Sequence, residues 1–172
     1  MARLGHDPDK RDVYAAEWSL RSVLDLAESV DNRTYNFHGH IMELPRERKF
    51  ADLESIQRYY NAVCELDLVQ REWPGIAAPR VMAKTGYQDT AHYSFGEVHV
   101  PTLRNGRWSL REIVILHELA HHLEHDSHGP EFRGAFVYLV QVCMGPELAL
   151  VLSEMLFTSV GKPFVVRGLQ NA

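Results

Sequence analysis

Residues 109–132 have the sequence SLREIVILHELAHHLEHDSHGPEF, and this stretch decides the fold that we expect. Four apolar residues stand directly before His117, which predicts a helix that is buried in a core. Ser109 and Glu112 have the spacing of a capping box at the start of that helix, and the helical pattern continues to about His125. The sequence therefore predicts one buried helix through most of this stretch.

His117, Glu118 and His121 form an HExxH motif within the expected helix. Because residues four apart share one face of a helix, the two imidazoles can converge on one metal ion. Glu118 lies beside that face, where it can take a proton from a water activated by the metal. Buried histidines and a buried glutamate are costly without a partner, and a metal ion is the partner that the pattern favours. We expect Zn²⁺ as the metal and Glu118 as the general base.

A third ligand must come from outside the motif, because a catalytic zinc ion takes three protein ligands and keeps one position for water. His128 is the preferred candidate, since it follows the expected helix end and precedes a Gly-Pro pair where the chain can fold back. His125 lies about 12 Å farther along the helix than His117, so one ion cannot reach both. His122 points about 100° away from His121. Neither His125 nor His122 is therefore the expected third ligand. Four carboxylates stay as alternatives: Asp126, Glu131, Glu147 and Glu154.

The same stretch resembles the core of the SprT-like metalloproteases, in which HExxH is followed by a third histidine in a short HGxxF-type segment. The matching residues are 117–121 and, after six intervening residues, 128–132. Small HExxH metallohydrolases of actinobacteria share this layout. The resemblance covers about residues 90–140 and implies a zincin-like fold. It also implies a zinc site in which the ligands are His117, His121 and His128 and the general base is Glu118.

Other zincin families fit the sequence less well. The metzincin pattern needs a glycine and a histidine where this chain has Glu124 and Ser127. The spacing of His117, His121 and His125 is similar to that of ImmA/IrrE-type peptidases, which cleave regulators, and this alternative stays open. The printed sequence has no cysteine-rich zinc module of the kind that many SprT-like proteins carry, which argues against a role at DNA–protein crosslinks.

Composition and charge narrow the function classes. The chain has 172 residues, is 45% hydrophobic and has a formal net charge of -5, which argues against broad nucleic-acid binding. No apolar run approaches the roughly 18 residues that span a bilayer, and no signal peptide is visible, so we expect no membrane partner and a cytoplasmic location. Cys64 and Cys143 are expected to be buried free thiols. We expect one domain over 1–172, and the oligomeric state stays open.

The rest of the chain predicts an α+β fold with helices packed on a small mixed β-sheet. Besides the motif helix, we expect helices over 9–29, 51–66, 130–143 and 147–158. Expected strands are 34–43, 81–83, 91–95, 97–100 and 164–166. Loops are expected over 44–49 and 71–79.

Together these patterns predict a zinc-dependent metallohydrolase, in first place a metallopeptidase that hydrolyses peptide or amide bonds of a peptide or protein substrate. A non-catalytic zinc-binding module and a SprT-like DNA-associated protease are the alternatives. Strand 97–100 is the expected edge strand for pairing with an extended substrate. Tyr93, His99 and Arg133 are candidates for stabilising an oxyanion. His38 and His40 could bind a metal, although a solvated strand end explains them better.

Overall fold

The computed structural model describes residues 7–86, 89–102, 108–125 and 127–168, and it has the predicted α+β class. The helices in these ranges are α1 Lys10–Ser29, α2 Leu53–Cys64, α3 Asp67–Glu72, α4 Glu112–Leu123, α5 Pro130–Met144 and α6 Pro146–Val160. The strands are β1 Thr34–Phe37, β2 His40–Glu43, β3 Arg80–Lys84, β4 His92–Ser94 and β5 Glu97–Pro101.

The helices α1, α6, α5 and α4 pack in that spatial order, each against the next. Helix α1 contributes an apolar face at helical spacing, because Val13, Leu20 and Leu24 are buried. Helix α4 is covered on nearly all sides: every residue from 112 to 120 is buried. The HExxH motif therefore lies on a buried helix, as its apolar context predicts.

A three-stranded mixed sheet lies beside α4, with the strand order β3-β5-β4. Strand β3 is parallel to β5 and β4 is antiparallel to it, and Val98 and Val100 of β5 are completely buried. The prediction that 97–100 is an edge strand is therefore wrong, because β5 pairs on both sides. Strand β4, which contacts α4, is the edge strand on the side of the motif.

The predicted strand 34–43 is two strands, β1 and β2, which form a hairpin. His38 and Gly39 make the turn with φ values of 50° and 87°. Two consecutive positive φ angles are what a two-residue turn between twisted strands requires. Residues 67–72, which include part of the predicted loop 71–79, form the short helix α3.

The start of α4 also differs from the prediction, because the Ser109–Glu112 capping box does not form. Arg111 occupies the N-cap position, and the helix begins at Glu112. The Glu112 carboxylate instead accepts hydrogen bonds from the Arg48 backbone N–H at 3.0 Å and from the Tyr59 hydroxyl at 2.7 Å. The capping-box pattern involves only residues three apart, whereas the partners of Glu112 lie more than 50 residues away along the chain.

The chain after α6 packs against the first turns of α5, and 164–166 is not a strand, contrary to the prediction. The Val165 N–H donates to the Pro130 carbonyl at 3.1 Å. A Cβ at Gly134 would lie 1.9 Å from the Val165 carbonyl oxygen, so only glycine permits this approach. Arg167 then forms ion pairs with Glu124 and Glu131, which fixes this segment over the turn that joins α4 to α5.

No helix within the described ranges is long and apolar enough to cross a membrane. Both cysteines are free: Cys64 is buried and Cys143 is half-buried. Burial raises the pKa of each thiol to about 11, so both stay protonated at neutral pH.

Candidate metal centre

Three histidines converge at the end of α4. His117 and His121 lie on consecutive turns of that helix, and His128 stands in the turn just before α5. Their candidate ligand atoms all lie within 4.8 Å of one another, so the three side chains could bind one metal ion. His117 and His128 are buried, whereas His121 is half-buried and borders an open cleft. The three predicted ligands are therefore the ones that the fold brings together.

The close approach of two ring nitrogens, one from His117 and one from His128, supports a cation site. Nε2 of His117 lies 3.3 Å from Nε2 of His128. Two neutral imidazoles that approach in this way need either a shared proton or a cation between their lone pairs. Three imidazole nitrogens are a donor set that suits zinc and related transition metals, so the residues fit such an ion.

Two carboxylates from the N-terminal part of the chain lie behind these rings. Oε2 of Glu17 lies 2.7 Å from Nδ1 of His117, and Oδ2 of Asp7 lies 2.5 Å from Nδ1 of His128. Neither residue is predicted from the sequence. Glu17 did carry a signal, since it is a charged residue on the apolar stripe of α1.

The electrostatics differ among the three rings. Burial lowers the pKa of His117, but the charges of Glu17 and Glu118 together more than offset this, so the pKa lies above its ordinary value. Burial, together with the neighbouring His117 and His128, lowers the pKa of His121 to about 2. Burial also lowers the pKa of His128, although Asp7 opposes this. His121 and His128 are therefore neutral at neutral pH, as metal ligands must be.

Glu118 lies beside the three histidines and borders the same cleft, which has a volume of about 340 Å³. It is only 2% exposed. Burial raises the pKa of its carboxyl group, while His117 and a hydrogen bond from the Tyr93 backbone N–H act in the opposite direction. A buried carboxylate at the edge of an open cleft is a group that can exchange protons with a bound molecule.

Tyr14 is a further cleft residue that the sequence did not single out. Its ring stacks on His117, with the centroids 5.1 Å apart and the planes at 29°, and it lies 5.3 Å from the His128 ring. Burial, followed by the charge of Glu118, raises the pKa of the phenol, so it remains a hydrogen-bond donor.

The three oxyanion candidates lie in different places. Tyr93 borders the cleft. His99 lies on the central strand β5, where it stacks on His92 at 4.9 Å and is not part of the cleft lining. Arg133 is 1% exposed and donates to the His128 carbonyl at 2.7 Å and to Asp9 at 2.9 Å. The prediction for Arg133 is wrong, because its guanidinium supports the turn that carries His128.

The alternative ligands have other partners or lie elsewhere. Nε2 of His122 lies 2.8 Å from the Ala77 carbonyl oxygen, and His125 borders the cleft without joining the three histidines. Glu131 pairs with Arg167, and Glu147 is exposed on α6. Glu154 lies 2.6 Å from His38, so these two residues pair with each other. His40, the other histidine of the hairpin, is exposed. Asp126 lies outside the described residues.

Comparisons with models of known protein families, with curated proteins and with solved structures found no match. The resemblance to SprT-like metalloproteases therefore stands on the sequence motif alone. What is known of the site comes from its residues and their geometry.

Proposed function

We propose that this protein is a zinc-dependent metallohydrolase that hydrolyses peptide or amide bonds. The observation that carries the proposal is the convergence of His117, His121 and His128 beside Glu118 at an open cleft. A structural zinc site is closed by four protein ligands, whereas a catalytic one takes three and keeps a position open. In the part of the chain that the structure describes, three such side chains converge, which favours the catalytic type.

A zinc ion held by the three imidazoles would act as a Lewis acid, which polarises the carbonyl group of the substrate and lowers the pKa of water. Glu118 moves the protons. Its carboxylate accepts a proton from the water that attacks the carbonyl carbon, and it then donates a proton to the nitrogen of the leaving amine. Burial of Glu118 keeps bulk water away from the carboxylate, so that the proton passes to the substrate.

Strand β4 is the element along which we place an extended peptide. It is an edge strand beside α4, and the Tyr93 N–H on its free side donates to Glu118. A peptide that lies along this edge passes directly over the reacting carboxylate. This assignment replaces 97–100, and it keeps a peptide or protein as the proposed substrate.

Tyr14 is the side chain that we place at the developing oxyanion. Its phenol borders the cleft together with Glu118 and His121. A hydroxyl donor held in place before the reaction stabilises negative charge as it forms on the carbonyl oxygen. Tyr14 thus takes the role that the sequence had suggested for Arg133.

Metal analysis and one substitution test the proposed function. We expect the purified protein to contain about one zinc per chain and to cleave members of a peptide library. Glu118→Gln should keep the zinc but lose turnover by about 10²- to 10⁴-fold, because the proton acceptor is gone. Glu54→Gln, at an exposed residue that pairs with Arg58, is the matched control and should behave as wild type.

Each contrary result has a definite meaning. A protein that neither contains nor takes up a transition metal contradicts the metal site. A zinc-loaded protein that cleaves no peptide or amide contradicts the hydrolase and supports a non-catalytic zinc module. Glu118→Gln with wild-type turnover contradicts the role of Glu118.

A further inference from the structure

Two of the three histidines are held from behind by carboxylates of the N-terminal segment. The pairs are Glu17 with His117, at 2.7 Å, and Asp7 with His128, at 2.5 Å. In both pairs the carboxylate meets Nδ1, while the two Nε2 atoms face each other at 3.3 Å. The carboxylates and the candidate metal position are therefore on opposite sides of the rings.

The burial of Glu17 argues that it is placed for His117. Its residue exposure is 2%, and it shares the buried face of α1 with apolar neighbours such as Val13 and Leu20. A carboxylate in such a place destabilises the fold unless it is paired. Besides His117, its ion-pair partner is Arg21, whose Nε lies 3.5 Å away. The shorter contact is the one to the histidine.

Asp7 is held in position independently of its histidine. It precedes Pro8 and Asp9, and the Asp9 carboxylate binds both Arg133, at 2.9 Å, and Lys162, at 2.5 Å. Arg133 also donates to the His128 carbonyl at 2.7 Å. The same guanidinium thus fixes both the segment that carries Asp7 and the turn that carries His128.

We propose that Glu17 and Asp7 are positioning residues of the metal centre, so that helix α1 and the residues just before it complete the site. This inference rests on the metal site of the proposed function. Asp7 accepts the Nδ1–H of His128, and the Glu17 carboxylate lies within ion-pair distance of Nδ1 of His117. Negative charge beside each Nδ1 favours the tautomer that carries the proton there, which leaves the Nε2 lone pair directed towards the metal. His121 is oriented differently, because its ring stacks on Phe132 at 4.2 Å with the planes at 28°.

Metal affinity tests the inference without any need for a substrate. We would measure Zn²⁺ affinity by competition with a chromophoric chelator, together with the absorption spectrum of the Co²⁺-loaded protein. Glu17→Ala and Asp7→Ala should each weaken Zn²⁺ binding by about 10- to 100-fold and alter the Co²⁺ spectrum. Glu17→Gln and Asp7→Asn should lose less, because an amide oxygen remains beside Nδ1 of each histidine. If Glu17 and Asp7 only stabilised the fold, the amide variants would not bind Zn²⁺ more tightly than the alanine variants.

The control is Asp12→Asn, which removes a carboxylate from the same helix where it pairs only with the exposed Arg11 side chain among the described residues. It should bind Zn²⁺ as wild type does. Asp7 precedes α1 and its side chain is 18% exposed, so Asp7→Ala provides the test if Glu17→Ala does not fold. Alanine variants that bind Zn²⁺ as tightly as Asp12→Asn would overturn the inference and leave the metal site standing. A wild-type protein without Zn²⁺ affinity would overturn both.

Discussion

Tyr14 combines two contacts whose effects a single substitution can separate. Its ring packs on His117 and His128, and the residue also borders the cleft. Tyr14→Phe keeps the ring and removes the donor. We expect Zn²⁺ affinity to stay within about twofold of wild type, while kcat falls about 10²-fold with little change in KM.

Steady-state kinetics on a peptide that wild type cleaves, with a parallel Zn²⁺ titration, would measure this difference. Tyr35→Phe, on strand β1 and outside the cleft lining, is the matched control. An unchanged kcat in Tyr14→Phe would remove Tyr14 from the reaction. A large loss of Zn²⁺ affinity would show instead that the hydroxyl supports the histidines.

At the residue scale, the sequence predicts what one helix or one turn determines. His117 and His121 share a helix face by their spacing alone, and His128 follows the expected helix end. Glu17 and Asp7 could not be assigned to the site, since their partners lie 100 or more residues along the chain. A charge on an otherwise buried stripe shows that some partner exists, but only the fold identifies it.

The turn between β4 and β5 stores backbone strain that a substitution can relieve. Phe95 and Gly96 have φ values of 47° and 83°, and the Phe95 side chain is completely exposed. A left-handed conformation costs a bulky residue about 1 kcal/mol, whereas asparagine adopts it readily. Phe95→Asn should therefore raise the free energy of unfolding by about 0.5–1 kcal/mol, because almost no packing is lost.

Urea denaturation of Phe95→Asn and Phe95→Ala provides the comparison. Alanine also removes the exposed ring but gains no preference for positive φ. If the two variants are equally stable, any gain in the free energy of unfolding comes from removing the exposed ring and not from relieving the backbone.

At the element scale, periodic patterns predicted the long helices well, and short-range signals were less dependable. Helix α1 and helix α5 begin and end within a residue or two of the predicted bounds, because their apolar stripes are long. The hairpin at His38 was missed, since few residues other than glycine adopt a positive φ. The position of 97–100 within its sheet depends on strand pairing, which local alternation does not determine.

At the scale of the whole molecule, the candidate metal centre lies where α1, α4, β4 and the turn before α5 meet. Only the folded chain brings these parts together, so a metal that binds there stabilises the folded state. At a free Zn²⁺ concentration of 100 times Kd, the stabilisation should be about 2.7 kcal/mol. Thermal unfolding should therefore shift to lower temperature after treatment with a chelator and recover when Zn²⁺ is returned.

His128→Ala is the informative variant for this prediction, because it removes one of the three converging rings. It should lose most of the Zn²⁺-dependent shift. An identical shift in this variant would place the stabilising ion elsewhere. The single domain over 1–172 and the cytoplasmic location stay predictions from the sequence.

The separation of Asp7 from His128 by 121 residues has a consequence for biosynthesis. A ribosome releases α1 long before α4 and α5, so Glu17 leaves the exit tunnel without its histidine and stays hydrated until the later helices are made. The carboxylates of Asp7 and Glu17 can therefore both meet their histidines only after His128 has been translated.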